Sequence, residues 1–434
     1  MTSFPLSKFI AASGTDAEDT VLRTKKIKLR LTSNQKQMLQ KWNSHARYTY
    51  NLAVWRLNVD IDTQTKLNLR NQITPANCNN GKEWILQTPK EIRARAVFEA
   101  HTRFCTGVKQ IKNKTIKFFR LRYKDKKYQH ANGWSIDIPK QAILQIDTKT
   151  LFIYKRITKE EKFKLGERLD VPIEHDCKIH FDGDAYYLIV PFNKKKKTRE
   201  QDGIVSLDPG VRTFLTGVDG DKTIELGKDS GTILFRKLRH LDHLISKKDK
   251  TRDKTVKKIL KKRIKKVRIY IRNLQDELHK KTSTWLCKKY SNVVIPQFGS
   301  KDMVKKQDRK LKTKTVRAMS ILAHSRFLER LKNKAREWRT DVVIVDEKYT
   351  SKTCSVCGHV KTKRFRNVYN CESCLMTMDR DRNGAINILK KLFLPKGENR
   401  ADRANETDTL VRLGIDRGLF EPKPSSHLVV SVCQ

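Results

Sequence analysis

The chain has 434 residues, of which 38% are apolar, enough for two to four domains with cores of their own. Lys and Arg number 94 against 47 Asp and Glu, a formal net charge of +47 that goes far beyond the needs of solubility and points to a polyanion partner. No apolar run approaches the ~20 residues of a membrane span, and nine scattered or paired cysteines in such a chain do not read as a disulfide framework.

The first residues, MTSFPLSKFIAASG, lack the long apolar centre of a secretory signal, and residues 1–21 are expected to be a flexible leader. From Thr24 to Thr32, Ile27, Leu29 and Leu31 alternate with basic residues, the pattern of a half-buried strand with a cationic outer face. Ser33 is placed to cap a helix over residues 34–59, in which Met38, Leu39, Trp42, Tyr50, Leu52, Val54 and Trp55 supply apolar surface; Trp42 and Trp55 are expected to pack. A second helical region starts near Thr88 and Pro89 and runs through Arg93, Arg95, Phe98, Phe104 and Ile111 toward Phe118 and Phe119. Its mixture of rings and cations suits base stacking with phosphate contact, and suits equally an amphipathic bundle with solvated lysines. From Gly133 to Phe192 the pattern shortens to WSIDI, AILQI, TLFIYK, KIHF and AYYLIVPF, a β domain expected to pair with the strand at residues 26–31. The helical region is then an insertion into a barrel-like module, and KKKKTR at residues 194–199 is a basic linker.

In QDGIVSLDPGVRTFLTGVDG, Ile204 to Leu207 reads as a buried strand that delivers Asp208 to its end, and Pro209 and Gly210 turn the chain into a strand at Val211 to Val218. A short strand at Thr223 to Leu226 follows, then the longest helical pattern, Leu234 to Tyr290. Its stripe of Val256, Leu260, Ile264, Val267, Ile271, Leu274 and Leu278 needs either the sheet or a coiled-coil partner to cover it, and its other faces are free to meet phosphate. Asn292 to Phe298 reads as another buried strand, Val316 to Trp338 as a basic helix, and Val342 to Val345 as a strand ending in Asp346 and Glu347. Then come two CxxC pairs, Cys354 with Cys357 and Cys371 with Cys374, and a helix at Ala385 to Leu389 whose first turn carries Asp379 and Asp381.

Paired CxxC spacing lets two tight turns present four thiolates to one Zn²⁺, with no open position, so a structural zinc is expected. Cys78, Cys105, Cys177, Cys287 and Cys433 are scattered and are expected to be reduced thiols. Asp208, Glu347 and Asp381 stand at two strand ends and a helix start, where a fold can gather carboxylates for hard cations such as Mg²⁺. Two such ions suit phosphodiester hydrolysis. Charge alone would equally suit a ribosome-like or chromatin-like binder; the carboxylates favour chemistry. Asp346 competes with Glu347, and because adjacent strand residues face opposite ways only one of that pair should reach the metals; Asp379 competes in turn with Asp381.

The strand–strand–strand–helix–strand–helix–strand order from Ile204 to Asp346 resembles the ribonuclease-H-like RuvC nuclease fold. LDPG at Asp208, TSKTCSVCG at Thr350, CESC at Cys371 and DRDRNGAINIL at Asp379 stand in the order of the signature blocks of TnpB-type proteins. KIKLRLTSNQ with RYTYN, TPKEIR at Thr88 and FRLRYKDKK also match, so the resemblance covers about residues 22–391. It implies an α+β multidomain protein: a β-barrel wedge domain at 22–33 and 127–199, a helical recognition domain at 34–126, a RuvC nuclease domain at 202–353 and 375–391 with an inserted zinc ribbon at 354–374, and a tail at 392–434. It further implies a monomeric, guide-RNA-bound, Mg²⁺-dependent endonuclease. That enzyme would recognise a short flanking motif in double-stranded DNA and cut with one RuvC site. The family motif places its ligand two residues before an asparagine, selecting Asp381 ahead of Asn383 and leaving Asp379 as a helix-start residue. One departure stands out. The bacterial pattern ends the fourth strand with a glutamate, whereas here the strand ends Ile295-Pro296-Gln297-Phe298 and no acid follows until Asp302. A neutral Gln297 with Glu347 at the end of the next strand resembles Fanzor proteins, the eukaryotic and viral relatives of TnpB, which implies a transposon-associated origin and a nuclear location. The alternatives are a guide-RNA-directed DNA-binding protein whose nuclease has decayed and a strand-joining transposase. VRLGID and LVVSV in the tail are expected to dock on the body.

Overall fold

The computed structural model describes residues 19–59, 65–74, 83–220, 222–297, 313–360, 367–392 and 427–430. They fall into two compact units, one of Leu22–Lys194 and one of Met1–Val21 with Lys195–Gln434.

In the first unit β1 (Thr20–Arg30) buries Ile27 and Leu29 and exposes Lys26, Lys28 and Arg30, as its alternation requires. Helix α1 (Ser33–Val59) opens on a reciprocal cap: Gln35 N donates to Thr32 Oγ1 at 3.2 Å and Thr32 N to Gln35 Oε1 at 3.1 Å. The cap is therefore Thr32, one residue before the expected Ser33. Helices α2 (Lys66–Ile73) and α3 (Lys90–Lys112) close a small core with α1 from Tyr50, Val54, Leu57, Leu69 and Val97. Trp42 is buried as expected, but Trp55 is 49% exposed and contributes little to any core. Arg93 is not available to phosphate: it is buried, and its guanidinium donates to the Thr74 and Thr88 carbonyls at 2.6 and 3.2 Å. Helix α3 ends before Phe118 and Phe119; Phe119 folds back over Gly107, where a methyl group would come within 2.3 Å of its ring.

After α4 (Lys126–Asn132) come β2 (Trp134–Ile138), β3 (Ile143–Asp147), β4 (Thr150–Ile153), β5 (Lys162–Leu165), β6 (Cys177–Phe181) and β7 (Tyr186–Lys195). With β1 they form one sheet in the order β2-β6-β7-β1-β5-β4-β3. Ile136 and Ile138 from one end strand share a single apolar cluster with Ile143 from the other and Ile27 from the middle, so the sheet wraps a common core in barrel fashion. The helices leave after β1 and return before β2, as an insertion between two strands of the same sheet.

In the second unit β8 (Ile204–Pro209), β9 (Thr213–Asp219) and β10 (Lys222–Lys228) form an antiparallel meander. The expected 234–290 helix is two helices, α5 (Ser230–Lys250) and α6 (Lys254–Lys289), broken where Asp253 caps α6 through Thr255 N and Val256 N. The stripe of Val256, Leu260, Ile264, Val267 and Ile271 finds its partner in Leu238, Leu241, Leu244 and Ile245 of α5, and only the later part of α6, with Leu278 and Leu286, reaches the sheet core. Next follow β11 (Asn292–Pro296), α7 (Thr313–Leu322), α8 (His324–Trp338) and β12 (Asp341–Val345). Ala323 at φ 47° divides α7 from α8 where one continuous helix was expected. The zinc-type segment contributes the hairpin β13 (Val368–Asn370) and β14 (Thr377–Asp379), which leads into α9 (Arg380–Lys390). In the tail, β15 (His427–Val430) pairs parallel to β10, which places part of the expected LVVSV segment on the sheet; VRLGID lies outside the described residues.

The sheet order is β12-β11-β8-β9-β10-β15, with β11 parallel to both β8 and β12. One face, with Val205, Leu207, Phe214, Val293 and Ile295, is covered by Leu234, Leu286, Phe327 and Leu331 of the helices. The other receives α9: Ser206 Oγ donates to the Ala385 carbonyl at 2.8 Å, and Ala385 and Ile386 pack on Val218. Asp208 lies on that second face.

Candidate active site

Register determines which acids meet. Strand β11 pairs Val294 with Ser206 of β8 and Pro296 with Val345 of β12. Continuing two residues along β8, Asp208 falls beside Pro296, and Glu347 follows β12 two residues beyond Val345, near enough for its charge to act on Asp208. By that register Pro296, rather than Gln297, is the fourth-strand residue level with Asp208. Pro296 and Gln297 both line a cavity of about 380 Å³ shared with Pro209, Phe327 and Lys332, and Asp302 lies outside the described residues. The end of the fourth strand thus offers a proline and a neutral amide, and neither is a carboxylate ligand.

Asp208 is packed against the backbone of α9, and a methyl group on Gly384 would approach its Oδ2 to 2.5 Å, so only glycine permits this contact. Burial, then the negative charges of Asp381 and Glu347, push the Asp208 carboxyl up to about 8, with Arg380 opposing. Burial and Asp379 raise Asp381, against Arg212 and Arg380; burial and Asp346 raise Glu347, against Lys391. Asp208 therefore feels the charges of Asp381 and Glu347, while Asp346 acts on Glu347. Asp346 instead accepts from Lys348 N at 3.2 Å. Asp379 caps α9, accepting from Asp381 N at 2.9 Å and Arg382 N at 3.2 Å, which fixes where the Asp381 carboxylate emerges.

Two features escaped the sequence reading. Arg212, on the turn after Asp208, reaches Asp381 at 3.3 Å and Asp379 at 3.8 Å and neutralises part of the acid group. Its place in LDPGVR, four residues after the aspartate, was the available signal. Asn383 and Asn387, one turn apart on α9, are buried at 0% and 7% exposure and bond only to the loop before and around the first cysteine pair. Their spacing in DRNGAIN was visible but had no assigned partner.

The Cys354, Cys357, Cys371 and Cys374 sulfurs lie within 4.8 Å of one another, with Cys354–Cys374 at 3.7 Å and Cys357–Cys371 at 3.5 Å. Four thiolates at 2.3 Å from a tetrahedral zinc would stand about 3.8 Å apart, so the donors fit. Cys354 N donates to the His359 carbonyl, Cys371 N to Met376, and Gly358 at φ 75° closes the first turn. Among the described residues this is the group of three or more metal-type side chains drawn that tightly; the carboxylates are less closely gathered. Their donor set nonetheless fits Mg²⁺, which keeps several waters and needs only one or two carboxylates per ion.

A sheet in which β10, β9, β8, β11 and β12 lie side by side, with acids from β8, the end of β12 and a packed helix, is a ribonuclease-H-like RuvC nuclease fold, here carrying a zinc-ribbon-type insert. Residues 324–388 match the Cas12f1-like, TNB domain family. Over 395 residues the chain is 32% identical to a protein of Paramecium bursaria Chlorella virus 1 whose name marks it as a candidate transposase, covering 86% of this chain and 87% of that one. It is 24% identical over 390 residues to a TnpB-like protein of Acanthamoeba polyphaga mimivirus, covering 85% and 73%. A third relative, named as a candidate RNA-guided DNA endonuclease of Mycobacterium tuberculosis, is 24% identical over 205 residues, 47% of this chain and 45% of that one. The chain belongs to the TnpB-like family.

Proposed function

We propose that this chain is a guide-RNA-bound, Mg²⁺-dependent DNA endonuclease that checks a short target-adjacent motif and cuts with one RuvC site made of Asp208, Glu347 and Asp381. The observation that carries the reading is the convergence of acids from separate elements: Asp208 packs against Gly384 of α9, and the charges of Asp381 and Glu347 reach it. Like charges gathered this way are destabilised unless a proton or a cation joins them, and divalent ions are the natural occupants. Bound Mg²⁺ would supply an activated water and stabilise the departing 3′ oxygen. Asp208, braced by Gly384, would hold a fixed point; Asp381, set by the Asp379 cap, and Glu347, at the end of β12, would close around it. Arg212 would limit repulsion between Asp379 and Asp381 while leaving its half-exposed guanidinium beside the phosphate path. A structural Zn²⁺ would occupy Cys354, Cys357, Cys371 and Cys374.

Guidance by RNA is supported by the relative named as such an endonuclease and by the +47 charge, which suits a phosphate backbone read by shape. The test is to express the chain with its native genomic flank and sequence the copurifying RNA. The complex is then incubated in Mg²⁺ with matching DNA bearing a randomised flank. Cleavage confined to some flanks is the expected result. Tight target binding without any cutting by the wild type would mean a guided DNA-binding protein instead.

A further inference from the structure

We propose that Asn383 and Asn387 fasten the zinc-type loop to the catalytic helix, so that the state of the cysteine site sets the relative position of Glu347 and Asp381. This rests on the reading of those two acids as divalent-cation ligands. The two acids flank the cysteine segment in sequence, and side-chain amides close the gap between them.

Asn383 Oδ1 accepts from Ser355 N at 2.9 Å and its Nδ2 donates to the Thr353 carbonyl at 2.8 Å, so both neighbours of Cys354 are gripped by one side chain two residues from Asp381. Asn387 Nδ2 donates to Thr353 O at 2.7 Å and to Thr350 O at 2.8 Å. Thr350 in turn donates its N and Oγ1 to the Glu347 carbonyl at 3.3 and 3.0 Å. A hydrogen-bonded path thus runs from Glu347 through Thr350 to α9, with Cys354 at its side. Every contact made by the amides is to backbone, so their partners need no particular side chain, whereas the amides themselves are not replaceable: an aspartate at 387 would aim a carboxylate at two carbonyl oxygens. Buried amides satisfied in this way over-determine geometry, and loss of such supporting contacts in metal sites weakens affinity about 10- to 100-fold. Asn383 and Asn387 are positioning residues; neither reaches the acids directly.

The test uses the full chain with its copurified RNA. Co²⁺ in the cysteine site reports that site by its absorption bands, Mn²⁺ binding to the carboxylates is followed by electron paramagnetic resonance, and cleavage gives kcat and KM. For Asn387→Ala and Asn383→Ala we expect the tetrahedral Co²⁺ spectrum to persist, Mn²⁺ affinity to fall at least about tenfold, and kcat to fall with KM for target unchanged. Should these variants not fold, chelating the cysteine-site metal from the wild type gives the same readout, with the same expected loss of Mn²⁺ affinity. Wild-type Mn²⁺ binding that survives both the substitutions and the chelation unchanged would overturn the proposal alone. Absence of Mn²⁺ binding in the wild type would bring down the nuclease reading with it.

Discussion

The four cysteine sulfurs come from two tight turns and lie within 4.8 Å of one another, whereas Asp208, Glu347 and Asp381 arrive from a strand end, a loop and a helix start and share charge without closing to that distance. A thiolate site of this kind is built by local spacing within two turns. The carboxylate site is built by the sheet register and holds like charges together at a cost that a cation removes. Folding has to be correct over most of the second unit before the acids meet at all.

The largest effect should come from removing an acid: Asp208→Ala is expected to lower target cleavage by about 10³-fold or more, as loss of a group stabilising reaction charge does, with guide-RNA binding intact by filter retention. The register claim is sharpened by Pro296→Glu placed in a Glu347→Ala background. If Pro296 faces Asp208, the double variant should recover part of the cleavage rate, and an equal loss in both would mean the proline points elsewhere.

Cys371→Ser should come next. Structural zinc binding is worth roughly 10 kcal/mol or more to small ribbons, so metal content should drop to none and residues 354–374 should lose protection from proteolysis, while the Leu22–Lys194 unit keeps its own unfolding transition.

A smaller effect is linked to pH. An unfolded aspartate titrates near 3.9, whereas Asp208 in the folded, metal-free protein holds its proton up to about 8. Between those values the folded state binds more protons, so stability of the metal-free protein should fall as pH rises, by at most about 1.4 kcal/mol per unit from one proton. Mg²⁺ should flatten that slope in thermal melts and bind more tightly as pH rises toward 8. A metal-free melting temperature that climbs over the same interval would contradict the raised carboxyl. Least of all, Thr32→Ala should cost about 1 kcal/mol by removing the α1 cap, measured as a shift in the transition of the first unit, whereas Ser33→Ala should change little.

What was legible in the sequence follows the same division. The cysteine pairs, the apolar runs before Asp208 and Glu347, and the alternation of β1 are local patterns, and they needed no knowledge of the fold. The break between α5 and α6 was not legible because Thr251 to Asp253 contains neither glycine nor proline; Asp253 as a capping residue was the cue. Pro296 was passed over in favour of Gln297 because a strand's facing is known only once its neighbours are paired, here Val294 with Ser206. Trp55 was misjudged, and the role of Arg93 left open, for a related reason: on helices so rich in charge, residue type does not say which stripe lies inward.

The central claim is that the acid at the end of β12 has taken over from the fourth strand, and two neighbouring residues test it. Single-turnover cleavage in Mg²⁺ by the RNA complex should be abolished in Glu347→Ala and nearly unchanged in Asp346→Ala. Cutting that survives in Glu347→Ala but disappears in Asp346→Ala would contradict the register on which the site is built.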